Sequence, residues 1–167
     1  MKYASTYIKL SEFGRKLLRQ KSLPDGLPLI SEYVKDVVGA DRCSIFINDA
    51  EKNELWTTIA DGVERIVISS TEGIVGRVLD LEEPIVVNDT SSHPDFLSKI
   101  DTKSGYKTNN IVASPIFDSS KKVAGVLEAL NKEGGFDDDD VKFMIFFSHY
   151  ISGFLELVNI YSNRDKE

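Results

Sequence analysis

The sequence predicts an α+β domain: a six-stranded antiparallel sheet flanked by helices, with the N- and C-terminal helices packed together. Three observations predict it. Apolar residues recur at spacings of three and four near both ends of the chain. Between them lie short apolar runs bounded by Gly, Asn, Asp and Ser, the mark of strands and turns. The resulting order, ααβββαβαββα, keeps neighbouring strands close in sequence, which favours antiparallel pairing.

Residues 3–20 read as a helix, with Tyr3, Tyr7, Leu10, Gly14 and Leu17 along one face. Ser22-Leu23-Pro24-Asp25-Gly26 reads as a break. A second helix is expected to run to about Val38, presenting Leu27, Ile30, Val34 and Val37, with Gly39 as its stop. Cys43–Asn48 is the first strand. Glu54–Ile59 and Arg65–Ser69 follow, joined through the tight-turn signal Asp61-Gly62. Gly73–Leu79 reads as a short helix, Pro84–Val87 as a strand, and His93–Lys103 as a polar stretch with a short helix between loops. Ile111–Phe117 and Val123–Leu130 are apolar enough for central strands, with Asp118-Ser119-Ser120-Lys121 as their hairpin. A long helix from Asp137 to about Tyr161 ends the fold, and its opening aspartates suit the positive end of the helix dipole.

Composition narrows the function. A chain of 167 residues fits one domain with a real core. Its formal net charge of -7 disfavours nucleic acid or an anionic membrane as partner, since both demand concentrated positive charge. The single cysteine, Cys43, cannot form an internal disulfide, so a reducing cytosol is the expected setting. Charges are expected to interrupt every apolar run before it reaches the length of a membrane span, and the N-terminus lacks a signal-peptide core.

Catalysis finds no support in the motifs. His93 and His149 lie in different elements, and no metal-ligand spacing surrounds either. There is no nucleophile elbow, phosphate-cradling loop or dinucleotide fingerprint. Gly73-x-x-Gly76 reads as a helix start packed closely on the sheet, and Cys43 as a core thiol between apolar neighbours.

Binding does better. Ser44, Asp61, Asp101, Ser104, Thr108 and Glu128 are polar residues at or near element ends, where turns, caps and solvated side chains are the ordinary explanation. Glu128 differs, because it interrupts the apolar run Val123–Leu130. A carboxylate there either faces outward or must find a partner, since an unpaired buried charge is costly. A ligand hydroxyl would be such a partner.

Taken in order, several stretches resemble a GAF domain from about residue 25 to 160. They are Cys43-Ser44-Ile45-Phe46, Ala60-Asp61-Gly62, Glu72-Gly73-Ile74-Val75-Gly76, His93-Pro94-Asp95-Phe96, Gly105-Tyr106-Lys107-Thr108-Asn109-Asn110, Gly125-Val126-Leu127-Glu128 and Asn131-Lys132…Phe136-x-x-x-Asp140. The resemblance is greatest to the cyclic-nucleotide-binding type found in regulatory regions of phosphodiesterases and some bacterial adenylyl cyclases. It implies that Ser44 and Asp61 meet the purine edge. A carboxylate accepts from the N1–H and amine of guanine but repels N1 of adenine, which tilts the expectation slightly toward cGMP over cAMP. It also implies that Ile74 and Val75 offer backbone N–H groups to the cyclic phosphate. Asp101, Ser104 and Thr108 would bind base, ribose or phosphate, and Glu128 the ribose hydroxyl. Lys132 and Asp140 would form an ion pair that braces the pocket without touching the ligand. Val141 stands where the family signature has an acid, and Leu97 where some relatives have a tyrosine.

The implied organisation is an N-terminal signalling or dimerisation helix over residues 1–22, a GAF domain over 23–162, and a linker or end segment over 163–167. In the last helix Met144, Phe147, Ile151, Phe154, Val158 and Tyr161 form one stripe, which Phe143, Phe146, Tyr150 and Leu157 widen. So broad a face suggests a parallel homodimer through the terminal helices. The expected function is a small-molecule sensor without catalytic residues, metal or cofactor, whose ligand is a cyclic nucleotide and whose signal passes to an output domain. The alternative is a dimerisation and relay domain with a vestigial pocket or a different small ligand.

Overall fold

A computed structural model describes residues 4–57, 66–96 and 105–164, with side chains through Val158. The elements are α1 (Ala4–Leu18), α2 (Leu23–Val38), β1 (Ala40–Asp49), β2 (Glu54–Thr57), β3 (Ile66–Ser69), α3 (Gly73–Leu81), β4 (Ile85–Val87), β5 (Ile111–Phe117), β6 (Val123–Lys132) and α4 (Asp138–Arg164). The strands form one six-stranded sheet in the order β3-β2-β1-β6-β5-β4, every neighbouring pair antiparallel. Its centre is not local: β1 pairs with β6 from Ala40↔Lys132 to Ile47↔Gly125.

That register sorts the side chains to two faces. Cys43, Ile45, Val112, Leu127 and Ala129 point to one core, covered by α1, α2 and α4. Phe46, Ala113 and Val126 point to the other, where α3 packs with Ile74, Val75 and Val78. Ser44, Glu128 and Ala113 stand side by side across β1, β6 and β5 on this second face.

The break expected at Ser22–Gly26 is instead the start of α2. Ser22 caps the helix, its Oγ accepting from Asp25 N–H at 3.3 Å, and Pro24 sits in the first turn, where no N–H is needed. Gly26 is a point of close approach: a Cβ there would lie 2.3 Å from the Phe154 ring. The helix faces shift too. Val38 is buried and Val37 exposed, so the apolar stripe of α2 ends one residue later than its spacing predicts. In α1 the buried residues are Phe13 and Leu17, while Tyr7 is 67% exposed. A 3₁₀ turn at Thr90–Ser92 precedes the polar stretch His93–Lys103, whose residues 93–96 are not helical; the short helix expected there otherwise falls outside the described residues. Residues 97–104, and the Asp61-Gly62 turn, lie outside the described residues.

Helix α4 crosses the helix-covered face. By length and by the mean hydropathy of an 18-residue window within Asp138–Val158, 1.3, it could cross a membrane, contrary to the expectation that charges interrupt every apolar run too early. Its apolar side is occupied within the domain: Met144, Phe147 and Ile151 are fully buried. Phe147 sits among aromatic rings, with centroids 5.2 Å from Tyr33, 5.3 Å from Phe143 and 5.4 Å from Phe13. The widening stripe has a different fate. Phe146, Tyr150 and Leu157 are 50%, 37% and 51% exposed.

Candidate functional site

On the α3 face the sheet and helix enclose a cavity of about 60 Å³. Its walls come from Phe46 of β1, Ile68 of β3, the N-terminal turn of α3 (Gly73, Ile74, Val75), Phe96, Thr108, and Ile111, Glu128 and Leu130 of β5 and β6. Helix α3 follows β3 after a short turn, so its N-terminus opens at the cavity wall. Glu72, in the N-cap position, makes no side-chain capping bond there. The first backbone N–H groups of a helix have no carbonyl within it to bond, and the helix dipole favours a negative group beside them. Only Glu128 brings a carboxylate to these walls among the described residues. It is half-buried and reaches this face because β6 alternates sides.

The residues expected at a ligand fall into three groups. Ile74, Val75, Thr108 and Glu128 come together at the cavity. Ser44 lies directly opposite Glu128 in the β1–β6 register but is only 2% exposed and does not line it. Asp61, Asp101 and Ser104 lie outside the described residues. The apolar walls, Phe46, Ile68, Ile111 and Leu130, did not stand out in the sequence. Two of them follow by parity alone, since Phe46 is two residues beyond Ser44 and Leu130 two beyond Glu128.

Thr108 belongs to a segment pinned at several points. Thr90 Oγ1 donates to its carbonyl at 2.6 Å. Asn131, with φ of +56°, turns its side chain onto the same segment, Oδ1 accepting from Asn109 N–H at 2.7 Å and Nδ2 donating to Lys107 O at 2.7 Å. Tyr106 donates to Asp41 Oδ2 at 2.6 Å, and the Arg42 guanidinium lies 3.6 Å over its ring. Burial, and then the Asp41 carboxylate, push the Tyr106 phenol well above its ordinary range.

Beyond Asn131 the chain enters α4 through a braced turn. Lys132 Nζ lies 2.6 Å from Asp140 Oδ2, an ion pair between a quarter-exposed lysine and a nearly buried aspartate. The same Oδ2 accepts from Asp137 N–H at 2.9 Å, while Asp137 Oδ1 accepts from Asp140 N–H at 2.9 Å. Each aspartate thus caps the other's backbone, a reciprocal capping box closed by a cation. The backbone bond from Asp140 leads in holding the Asp137 carboxyl below its ordinary 3.8. The Asn88 amide completes the turn, exchanging two hydrogen bonds with the backbone of Phe136.

Solved structures with this architecture include the GAF domain of a phosphoenolpyruvate-protein phosphotransferase from Coxiella burnetii, 19% identical, with a TM-score of 0.80 over 92% of this chain and 94% of that one. The corresponding Acinetobacter domain is 23% identical, with a TM-score of 0.77 over 92% and 94%. A free methionine-R-sulfoxide reductase from Neisseria meningitidis, in complex with its substrate, is 18% identical, with a TM-score of 0.74 over 91% and 89%. At such identities the likeness speaks for the fold. The GAF domain family model matches residues 23–154, and the chain is a member of the GAF domain family.

Proposed function

We propose that this chain is a cytosolic regulatory module whose α3-face pocket binds a cyclic nucleotide, cGMP slightly ahead of cAMP. Ligand binding would bias the terminal helices and so pass the signal to an output domain. The observation that carries the reading is Glu128: a half-buried carboxylate in a mainly apolar wall, sharing the cavity with the N-terminus of α3. A ligand with a hydroxyl at one end and an anionic group at the other matches that pair. The cavity of about 60 Å³ holds only a few waters, at ~10–15 Å³ each, so a nucleotide requires it to widen. Widening on binding is also what a sensor needs, because a ligand shifts only an equilibrium between states it binds unequally. The preference for cGMP rests on Asp61, through the family resemblance.

Isothermal titration of nucleotide-free protein with cGMP and cAMP tests this reading. Binding that disappears in Glu128→Ala, and a preference that disappears in Asp61→Ala, are the expected results. The absence of both heat and a thermal shift at millimolar nucleotide would sink it.

A second reading, dimerisation and relay with a vestigial pocket or another small ligand, is favoured by the exposed apolar strip Phe146, Tyr150 and Leu157. It expects sedimentation as a dimer with or without nucleotide, and signalling indifferent to Glu128→Ala. Thiol chemistry in the pocket is disfavoured by position: the one cysteine, Cys43, is buried in the core on the opposite face of the sheet.

A further inference from the structure

A second and larger cleft, of about 240 Å³, opens on the helix-covered side of the sheet. It is bounded by Leu23 at the start of α2, Ile47 and Trp56 from β1 and β2, Asp118 and Ala124 at the β5–β6 hairpin, and Leu155 and Glu156 of α4. Trp56 is the register partner of Ile47, so the two share a face, and Ile47 packs against the core beneath α2 and α4. The cleft therefore lies across the sheet from the Glu128 cavity and rests on nothing proposed for it.

Its chemistry is distinct. The body is apolar and includes the indole of Trp56, whereas the polar contribution is two carboxylates, with no Lys, Arg or His among the described lining residues. Neither carboxylate is a loose surface group. Glu156 is anchored by Ser119, whose N–H donates to Oε2 at 3.1 Å and whose hydroxyl donates to Oε1. Asp118 Oδ1 accepts from Ser120 N–H at 2.8 Å and Lys122 N–H at 3.0 Å. Two fixed acids beside an aromatic side chain, among apolar neighbours, suit a positively charged group carried on an apolar body.

We infer that this cleft is a second ligand site, for a small organic ammonium compound. Such a ligand would set its cation between Glu156, Asp118 and the Trp56 ring and its apolar part against Leu23, Ile47 and Leu155. It would join the hairpin to the C-terminal half of α4, at the far end of that helix from the Lys132–Asp140 brace. Occupancy would therefore stiffen α4 against the sheet.

Trp56 is the only tryptophan in the sequence, so the protein carries its own reporter for this site. The probe is phenethylammonium chloride, titrated into the full chain. Tryptophan fluorescence and the indole N–H resonance are followed together, so that binding silent in one is seen in the other. The expected result is a saturable shift, absent with phenylacetate, an anion of similar size. Glu156→Gln and Asp118→Asn should each weaken it by about tenfold, the order of one lost charge-assisted contact. Glu128→Ala should leave it unchanged, which keeps this test separate from nucleotide binding. An indole resonance that stays fixed under phenethylammonium, or moves equally with phenylacetate or in Glu156→Gln, would overturn the assignment.

Discussion

Replacing Asp140 with alanine removes the one carboxylate that ties the end of β6 to the start of α4. Its Oδ2 accepts from Lys132 Nζ at 2.6 Å and from Asp137 N–H at 2.9 Å. A charge-assisted bond is worth about 1.5–3 kcal/mol, reduced here to roughly 1–2 because the Lys132 side chain is 25% exposed. Losing half of the capping box adds about 0.5–1 kcal/mol. The expected loss is therefore about 1.5–3 kcal/mol, which lowers Tm by roughly 3–12 °C in a domain of this size. Urea unfolding measures it, with Lys132→Met and the double variant completing a cycle. Lys132→Met should also destabilise, since it leaves a nearly buried carboxylate with backbone donors and no cation. A coupling of about 1–2 kcal/mol between the two positions is expected. Losses below about 0.5 kcal/mol, the range of an ordinary surface change, or strictly additive ones, would refute the brace.

Other outcomes follow from the same geometry. Gly26→Ala should cost about 1–3 kcal/mol by overpacking, and Phe154→Leu in the same chain should recover part of it, because the new Cβ meets the Phe154 ring at 2.3 Å. Phe147→Ala, at a fully buried ring in the aromatic cluster, should cost about 3–5 kcal/mol in denaturant unfolding and collapse the near-UV dichroism. Asp137 has a folded-state pKa below its ordinary 3.8, so its contribution is complete above that value and drains away as pH falls through the lowered one. Unfolding curves at successive acid pH should show this slope diminished in Asp137→Asn, which still caps the helix but does not titrate.

Much of the architecture was legible because it rests on periodicity. The α4 stripe, the paired apolar runs and the Asp118 hairpin all follow from spacing and turn chemistry. The hairpin closes as expected, Asp118 N–H donating to Lys122 O at 2.8 Å. Errors arose where one residue type serves two purposes. Pro24 and Gly26 look like breakers, yet one suits a helix's first turn and the other leaves room for Phe154. Strand β6 runs on to Lys132 because β1 pairs with it back to Ala40, a long-range fact that no local pattern holds. In the site, Glu128 was conspicuous as a charge in an apolar run. Phe46, Ile68 and Leu130 were not, since an apolar strand residue has the same signature in a core as in a cavity wall. The sequence displays Lys132 and Asp140 on either side of a double-glycine turn between strand and helix, but the geometry of that turn depends on Asn88, which no local pattern marks.

Strand β6 has a consequence for how this fold can vary. It is hydrogen-bonded on both sides, to β1 and to β5, and carries both the cavity carboxylate and, four residues on, the lysine of the brace. At about 3.3 Å per residue, those two groups are held roughly 13 Å apart by backbone alone. One inserted or deleted residue between them would turn either Glu128 or Lys132 to the wrong side while both neighbouring strands resisted the slip. Loops elsewhere can lengthen at little cost, whereas this stretch acts as a fixed ruler. Length changes among functional variants of this chain should therefore fall anywhere but between Glu128 and Lys132.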